Sequence, residues 1–521
     1  MRFILAAMAL ATAAIPAQAS WYQASSAHFL IYSEQKPEIL RGFAVKLEKF
    51  DKAVRVVRNM EDLPLSYGNR VTIFVVENEK EVQRLANDKT GFIAGFYRGS
   101  AAGSVAFVPR GGPKLGQSEA YTGSRIGSSS PDGSMGPGIV LLHEYSHHLM
   151  MQDLASPYPE WLVEGFAEVM STAQFEKNGS VGLGLPAMHR AYGLLEGRSL
   201  PLETLLSGHY DKITVEERES IYGRGWLMTH YLTFEPSRKG QLSAYVAALA
   251  KGADPVETAR QVFGDLKQFG RDLDKYLNRS TLQYLKVSGQ ALAPGPIEVT
   301  QLNPAGSAVL PVVIELKNGV PEKAAEALGQ KARAIEASYP GDVLVETTLA
   351  EAELNAGHAD AADAAADRAL KTNPRSTDAM ILKGRALTAQ ARKAAEPSQT
   401  AFIAARKWFS YANKIDPEDP EPLMEFYMSF AYAGVRPTAN AIAALHYASD
   451  LAPQDGGLRI NSAMQYLRDG KLKEARAALI PIAYDPHGRQ NAAAARSMIV
   501  LIDAGDAKGA EHAAETGFES R

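Results

Sequence analysis

The chain of 521 residues contains no cysteine. This absence excludes disulfide bonds, thiolate metal ligands, a cysteine nucleophile and a lipid-modified cysteine after a signal peptide. The fold must therefore be stabilised by packing alone.

An excess of charge of one sign is also missing. Lys and Arg number 55 against 59 Asp and Glu, which gives a formal net charge of -4. This balance provides no electrostatic reason to bind nucleic acid or an anionic membrane. We therefore expect no nucleic-acid partner.

Long apolar runs are absent beyond the first residues. The chain opens with basic Arg2, an apolar run from Phe3 to Ile15, a breaker at Pro16 and the small-residue pattern Ala17-Gln18-Ala19. This pattern is typical of a secretory signal peptide, here covering residues 1–19 and cut before Ser20. A membrane anchor is the alternative, but the run is shorter than the ~20 residues of a spanning helix.

The signal segment predicts an exported protein, either periplasmic or secreted, with no integral membrane segment after cleavage. An exported chain without disulfides suits a bacterial periplasm or a similar space better than a small disulfide-stapled scaffold.

The length exceeds the roughly 250 to 300 residues at which one core stops growing, so at least two domains are expected. Strand and helix patterns mix over residues 20–285, whereas residues 300–521 carry Ala-rich helical patterns alone. The predicted strands are 28–33, 70–78 and 103–110, and the predicted helices are 37–60, a short helix from Glu79, 137–152, 159–175 and 222–233, with more helices to about Leu277.

Residues 111–138 are rich in Gly, Ser and Pro and lack apolar periodicity, which predicts a long loop. The loop precedes a helix that carries the most informative motif of the chain. It is either a lid over a site or a surface insertion, and the sequence leaves both open.

Prolines punctuate the second region roughly every 34 residues, with one longer interval. They are Pro340, Pro374, Pro417, Pro453 and Pro486. Pairs of alanines recur at fixed offsets before these prolines, namely Ala362 and Ala369, Ala405 and Ala412, and Ala441 and Ala448. A large apolar residue lies between the alanines of the second and third pairs, namely Phe409 and Leu445. This is the pattern of tetratricopeptide (TPR) repeats, in which close helix packing requires small side chains and the second helix ends before proline.

An insertion near residues 395–400 accounts for the longer interval, and the last repeat, near residues 474–486, fits the pattern less well. The region is predicted to be an all-α TPR solenoid. Its concave surface is expected to bind a protein or peptide partner.

The segment from Leu141 to Met150 contains the motif H-E-x-x-H, formed by His143, Glu144 and His147. Residues four apart share a helix face, so both imidazoles can bind one metal ion while Glu144 reaches a metal-bound water. His148 adjoins the motif but points away from this face, and we expect it to be structural.

A second helix follows closely and carries three carboxylates, Glu160, Glu164 and Glu168. Two histidines and one water leave a fourth tetrahedral position for a glutamate, which is the arrangement of a catalytic zinc site rather than a structural one.

H-E-x-x-H followed by Trp161-Leu162-Val163-Glu164-Gly165 resembles the gluzincin metallopeptidases, or peptidase MA-like superfamily, whose second helix contains W-L-x-E-G. The resemblance covers about residues 21–280. It implies an α+β zincin-like metallopeptidase domain with one Zn2+ per chain, and it makes Glu164 the third metal ligand. It also implies that Glu168, one turn further, orients a zinc-bound imidazole, with His143 as the candidate. The alternative for Glu168 is a solvated glutamate on the helix surface.

The segment from Ile221 to Trp226, expected to open another helix, resembles the tyrosine-containing segment of the aminopeptidase-like gluzincins. In that family the phenol donates a hydrogen bond to the oxyanion that forms at the scissile carbonyl. Tyr222 is the candidate for this role, and a buried structural tyrosine is the alternative. His230, two turns further, is expected to be a packed or surface histidine.

The chain also departs from the aminopeptidase pattern. It lacks the G-x-M-E-N segment that recognises a free amino terminus, and His147 and Glu164 are closer in sequence than in those enzymes. Residues 95–108 are expected to supply the edge strand along which gluzincins lay an extended peptide. Internal cleavage is therefore favoured over aminopeptidase activity.

Together these features predict a zinc-dependent peptidase with Glu144 as general base, Tyr222 as oxyanion donor and a peptide or protein as substrate. Two alternatives stay open. The chain could be an exported repeat scaffold that keeps a zinc-binding peptidase-like fold without catalysis. It could also be a hydrolase of another bond, since zinc, water and a carboxylate do not by themselves specify an amide.

Overall fold

The computed structural model describes residues 20–63, 65–89, 93–110, 137–152, 158–195, 199–208, 210, 213–394, 398–485 and 489–518. The predicted signal peptide lies outside the described residues, and so does nearly all of the predicted loop 111–138. Among the described residues, no helix is both long enough and apolar enough to cross a membrane.

Two sheets occur in the described part of the chain. Their strands are β1 (Tyr22–Ser25), β2 (Phe29–Ser33), β3 (Val71–Val76), β4 (Phe96–Arg98), β5 (Val105–Pro109), β6 (Gln174–Phe175), β7 (Val181–Leu183), β8 (Leu285–Val287) and β9 (Glu298–Gln301). The larger sheet has the order β4-β5-β3-β2-β1-β9, and the smaller sheet has the order β6-β7-β8. Strands β2, β3 and β5 are parallel, and the remaining pairs are antiparallel.

Ten helices accompany these strands before residue 300 in the described ranges. They are α1 (Pro37–Arg58), α2 (Glu79–Leu85), α3 (Pro137–Met151), α4 (Glu160–Ser171), α5 (Ala191–Leu195), α6 (Leu202–Ser207), α7 (Val215–Phe234), α8 (Gln241–Leu249), α9 (Pro255–Phe263) and α10 (Leu266–Leu277).

The larger sheet is buried on both faces. Side chains alternate along β3, so Ile73 packs into the core formed with α1 and α3, whereas Phe74 packs towards α2. Such two-sided burial explains why β3 reads as an almost continuous apolar run.

Only helices follow residue 301 in the described part of the chain. They are α11 (Pro304–Asn318), α12 (Glu322–Glu336), α13 (Val343–Asn355), α14 (Ala359–Thr372), α15 (Thr377–Lys393), α16 (Gln399–Ile415), α17 (Pro420–Tyr432), α18 (Ala439–Leu451), α19 (Gly456–Arg468), α20 (Leu472–Ala483), α21 (Arg489–Asp503) and α22 (Ala507–Gly517). Successive helices pack as pairs, which gives a solenoid-like, TPR-like array.

The small residues predicted to lie between the paired helices are fully buried, as are Phe409 and Leu445. Gly384 on α15 shows how tight this packing is, because a Cβ atom there would lie 2.4 Å from the Phe409 ring. Longer helices accompany the longer proline interval, since α15 and α16 each have 17 residues whereas α17 and α18 have 13. The predicted insertion lies at the turn between α15 and α16, where residues 395–397 lie outside the described residues.

The helical array folds back onto the larger sheet. Leu310 and Ile314 of α11 pack into the core beside Phe74. Further along, the amide of Ala101 donates to Asp455 Oδ2 at 2.9 Å. The two regions therefore share a core and polar contacts.

Three sequence predictions of helix and strand bounds need correction. The helix predicted over 159–175 ends at Ser171, and residues 174–175 form β6. The helix predicted to open at Tyr222 begins at Val215, where Thr214 and Glu217 form a reciprocal capping box. The predicted bounds leave residues 286–299 between the two domains, but β9 (Glu298–Gln301) spans the border with the repeat region and completes the larger sheet against β1.

Candidate metal centre

Helix α3 carries two histidines on one buried face. His143 Nε2 and His147 Nε2 lie 3.0 Å apart, as the four-residue spacing predicts. The helix is held against α1 by the hydroxyl of Tyr145, which donates to Asp51 Oδ1 at 2.7 Å. This contact and the apolar residues of α3 place the two imidazoles at a defined position in the core.

Helix α4 brings Glu164 to the same point. Its Oε2 lies 3.2 Å from His143 Nε2 and 3.5 Å from His147 Nε2, and only 1% of its side-chain surface is exposed. Each of the three residues therefore presents one donor atom within 4.8 Å of the others. The sequence predicted this trio, and the structure brings it together.

The position of Glu164 depends on how closely α4 packs against α7. A Cβ atom at Gly165 would lie 2.2 Å from the carbonyl oxygen of Gly225, and a Cβ atom at Gly225 would lie 2.5 Å from that of Trp161. Only glycine permits this approach at either position.

The electrostatics of the trio favour positive charge between its members. Burial lowers the pKa of His143, but hydrogen bonds to Glu164 and Glu168 outweigh it and raise that pKa to about 10. Burial likewise opposes ionisation of Glu164, whereas the charge of His147 and hydrogen bonds from both histidines lower its pKa well below the usual range. A cation is therefore stabilised where these atoms meet.

Glu168 is buried, so the alternative of a solvated surface glutamate is wrong. Its Oε1 lies 3.4 Å from His143 Nδ1, so the carboxylate stands beside the predicted imidazole at ion-pair distance, without a hydrogen bond of normal geometry. Two further residues reach it, His189 at 2.6 Å and Arg190 at 2.6 Å. Burial raises the pKa of Glu168, but the charge of Arg190 and the two histidine hydrogen bonds lower it far more.

Sequence reasoning missed His189 and Arg190. They lie in a short 3-10 turn, Met188–Arg190, which has no periodicity to mark it. Their only sequence signal is a pair of adjacent basic residues between the smaller sheet and α7.

Glu144 directly follows His143 on α3, and its side chain is partly exposed. It lies near β4, the edge strand of the larger sheet. Burial raises the pKa of Tyr97 on β4, and the negative charges of Glu144 and Asp455 add to that rise.

Tyr222 lies in the middle of α7, with its ring centroid 6.3 Å from that of His143. Burial, and then the charge of Glu164, raise the pKa of Tyr222 well above its ordinary value. The phenol is therefore protonated at any physiological pH and can donate a hydrogen bond.

The two other histidines considered from sequence have structural contacts. His148 shares hydrogen bonds with the Tyr97 hydroxyl at 2.7 Å and with Gln152 Nε2 at 3.0 Å, and burial lowers its pKa to about 3. His230 Nε2 donates to the Gly184 carbonyl at 2.8 Å, while its Nδ1 accepts from the Tyr276 hydroxyl at 2.9 Å.

Helix α20 reaches the His147 side of the centre, which the sequence did not indicate. A small cavity there is lined by His147 and Met150 from α3, Val163 from α4, Ile480 and Pro481 from α20, and Tyr484 directly after α20. The helical array thus forms part of the wall beside the candidate centre.

A second group of potential ligands lies elsewhere in the sheet region and comprises His28, Asp51 and Asp62. Basic side chains already neutralise it, because Arg55 Nε lies 2.7 Å from Asp51 and Lys52 Nζ lies 2.9 Å from Asp62. This group is an ion-pair network that anchors α1.

No family model matches the chain, and no curated protein matches it. Among solved structures, a thermophilic TPR protein from Thermus thermophilus is similar over 34% of this chain and 92% of its own, with 20% identity and a TM-score of 0.30. That TM-score is too low to inform the fold, so the TPR-like architecture rests on the helix pairs themselves.

Proposed function

We propose that the protein is an exported zinc-dependent peptidase of the gluzincin type, with His143, His147 and Glu164 as metal ligands. The observation that carries the proposal is the convergence of the three donor atoms, which lie 3.0, 3.2 and 3.5 Å apart. Zinc bonds of about 2.0–2.1 Å in a tetrahedron separate its ligand atoms by about 3.3 Å, so the donor set fits this ion.

The chemistry of the donors supports the same metal. Two imidazole nitrogens and one carboxylate suit zinc, and three protein ligands leave one position for water or substrate. When bound, zinc would lower the pKa of a coordinated water to about 7. Glu168 would fix the orientation of the His143 ring through Nδ1.

Glu144 is the proposed general base. It takes the proton that the water releases as its oxygen attacks the peptide carbonyl carbon. It then gives that proton to the amine nitrogen as the carbon–nitrogen bond breaks. Its partial exposure next to His143 supports this role, because substrate must reach it.

Tyr222 is the proposed donor to the oxyanion that develops on the carbonyl. Its raised pKa supports the role, because a phenolate would repel the oxyanion instead of stabilising it. A preorganised donor of this kind lowers the barrier by about 3–4 kcal/mol.

Strand β4 is the proposed binding edge for an extended peptide. It pairs only with β5 in the described sheet, and Tyr97 links it to α3 through His148. A peptide added to this edge would run past Glu144, and the sequence lacks the G-x-M-E-N segment that recognises a free amino terminus. This arrangement favours endopeptidase over aminopeptidase activity.

The TPR-like array is the proposed binding region for a protein partner or a protein substrate. Stacked helix pairs offer an extended concave surface for such contacts. Helix α20 lies beside His147, which supports a direct role of the array in substrate delivery. A substrate segment bound near α20 would lie next to the centre.

The test compares wild-type protein with Glu144→Gln on a mixed peptide library, with zinc content measured in both. We expect one zinc per chain in each, and a loss of cleavage of about 100-fold or more in the variant. Glu160→Gln on α4 is the matched control, because it removes a carboxylate outside the trio, and it should keep both properties. Zinc in every protein without cleavage in any would instead favour the non-catalytic scaffold or a non-peptide substrate.

A further inference from the structure

One carboxylate organises the side of His143 that faces away from the metal position. Glu168 Oε1 accepts from Arg190 Nη2 at 2.6 Å and from Arg190 Nε at 3.0 Å, and it lies 3.4 Å from His143 Nδ1. Glu168 Oε2 is 2.6 Å from His189 Nε2. The carboxylate is fully buried, so its position depends on these neighbours.

Arg190 also reaches α7. The carbon atom at the centre of its guanidinium lies 4.5 Å from the centroid of the Tyr222 ring, and its Nη1 donates to Glu219 Oε2 at 2.9 Å. Glu219 and Tyr222 are three residues apart and so share one face of the helix. Arg190 is therefore attached to α4 through Glu168 and to α7 at two points.

We propose that Arg190 is a positioning residue that sets two parts of the centre at once. Through Glu168 it orients the His143 imidazole, and through its planar face it orients the Tyr222 phenol. The inference rests on the proposed function and deepens it, because it couples the geometry of the metal site to that of the oxyanion donor.

The geometry requires arginine. The planar guanidinium donates to Glu168 and Glu219 while its central carbon lies 4.5 Å from the centroid of the Tyr222 ring. The ammonium of lysine is a point charge without a planar face, so it can pair with Glu168 but cannot order the ring. Arg190→Lys therefore retains the positive charge beside Glu168 but removes the planar group that orients the Tyr222 ring.

The experiment measures three quantities on the full chain. These are zinc affinity by competition with a chelator, the visible absorption spectrum of the cobalt-substituted protein, and kcat and KM on a peptide that the wild type cleaves. The variants are Arg190→Lys, Tyr222→Phe and the double variant. Arg218→Lys on α7, whose side chain is half exposed, is the matched control.

We expect Arg190→Lys to weaken zinc binding about 10- to 100-fold and to change the cobalt spectrum. It should lower kcat more than it changes KM, and its effect on kcat should shrink in the Tyr222→Phe background, because the ring it orients then donates nothing. Zinc affinity and kcat equal to those of Arg218→Lys would overturn the inference. An equal loss of kcat with and without the Tyr222 hydroxyl would overturn the link to the phenol.

Glu219→Gln provides a second variant if Arg190→Lys does not fold. It weakens one attachment of Arg190 at an exposed position and should move all three quantities in the same direction by a smaller amount. Zinc affinity also separates this inference from the proposed function. If the wild type cleaves no peptide but Arg190→Lys still weakens zinc binding, peptidase activity fails as a proposal while the positioning of His143 by Arg190 is supported.

Discussion

Gly165 and Gly225 lie against each other where α4 crosses α7, so closely that a Cβ atom on Gly165 would stand 2.2 Å from the Gly225 carbonyl oxygen. Helix α4 carries Glu164 and α7 carries Tyr222. The separation of Glu164 and Tyr222 therefore depends on two residues that have no side chain.

Gly165→Ala and Gly225→Ala should each force the helices apart. We expect a loss of about 1–3 kcal/mol in the free energy of unfolding, together with weaker zinc binding, because Glu164 moves with α4. Urea unfolding followed by tryptophan fluorescence measures the first, and chelator competition measures the second.

Gly270→Ala is the control for this pair. Gly270 lies inside α10, and a Cβ atom there would meet nothing within 4 Å. The substitution should be neutral or stabilise the protein by up to about 1 kcal/mol. An equal loss of stability at all three glycines would show that helix contact is not the cause.

Tyr222→Phe should lower kcat by about 100- to 1000-fold while zinc content stays at one per chain. In the proposed role the hydroxyl stabilises charge that develops only on the way to the transition state, so KM should change little. Steady-state kinetics and elemental analysis of the same preparation check this. A normal kcat would return Tyr222 to the alternative of a structural tyrosine.

His230 should make stability depend on pH. Burial lowers its pKa from 6.5 to about 4. Between these values the unfolded chain binds a proton that the folded chain does not, so the free energy of unfolding falls as pH falls, by up to about 1.4 kcal/mol per pH unit. In His230→Gln the fall should be shallower across this window, as measured by urea unfolding at several pH values. Parallel curves for the two proteins would contradict the assignment.

Phe409 tests the packing of the helical array. It is fully buried against Gly384, so Phe409→Ala should cost about 3–5 kcal/mol of stability. Tyr411 lies on the same helix with 45% of its surface exposed, and Tyr411→Ala should change stability by no more than about 0.5 kcal/mol. Helical circular dichroism during unfolding distinguishes them, and equal effects would contradict the predicted repeat register.

The sequence was most informative where local spacing sets geometry. The separation of His143 and His147 predicted their common face, and the proline and alanine spacing predicted the buried positions of the helical array. Strand β3 was identifiable because burial on both faces leaves a continuous apolar run. The start of α7 was predicted too late, at Tyr222, although Thr214 and Glu217 have the spacing of the capping box that marks its true start at Val215.

Long-range contacts explain what the sequence did not reveal. Strand β9 pairs with β1 from the far end of the sheet region, and nothing in its four residues marks that partner. His189 and Arg190 reach Glu168 from a turn without periodicity. Helix α20 lies beside His147 although the two are far apart in the sequence, and no local pattern encodes that contact.

In the proposed centre, His143, His147 and Glu164 hold one zinc ion. The most direct test is elemental analysis of purified full-length protein beside Glu164→Gln, which keeps the size of the side chain and removes its charge. We expect one zinc per chain in the wild type and a large loss in the variant, with both proteins folded. A folded wild type without zinc, or equal zinc in both proteins, would contradict the account.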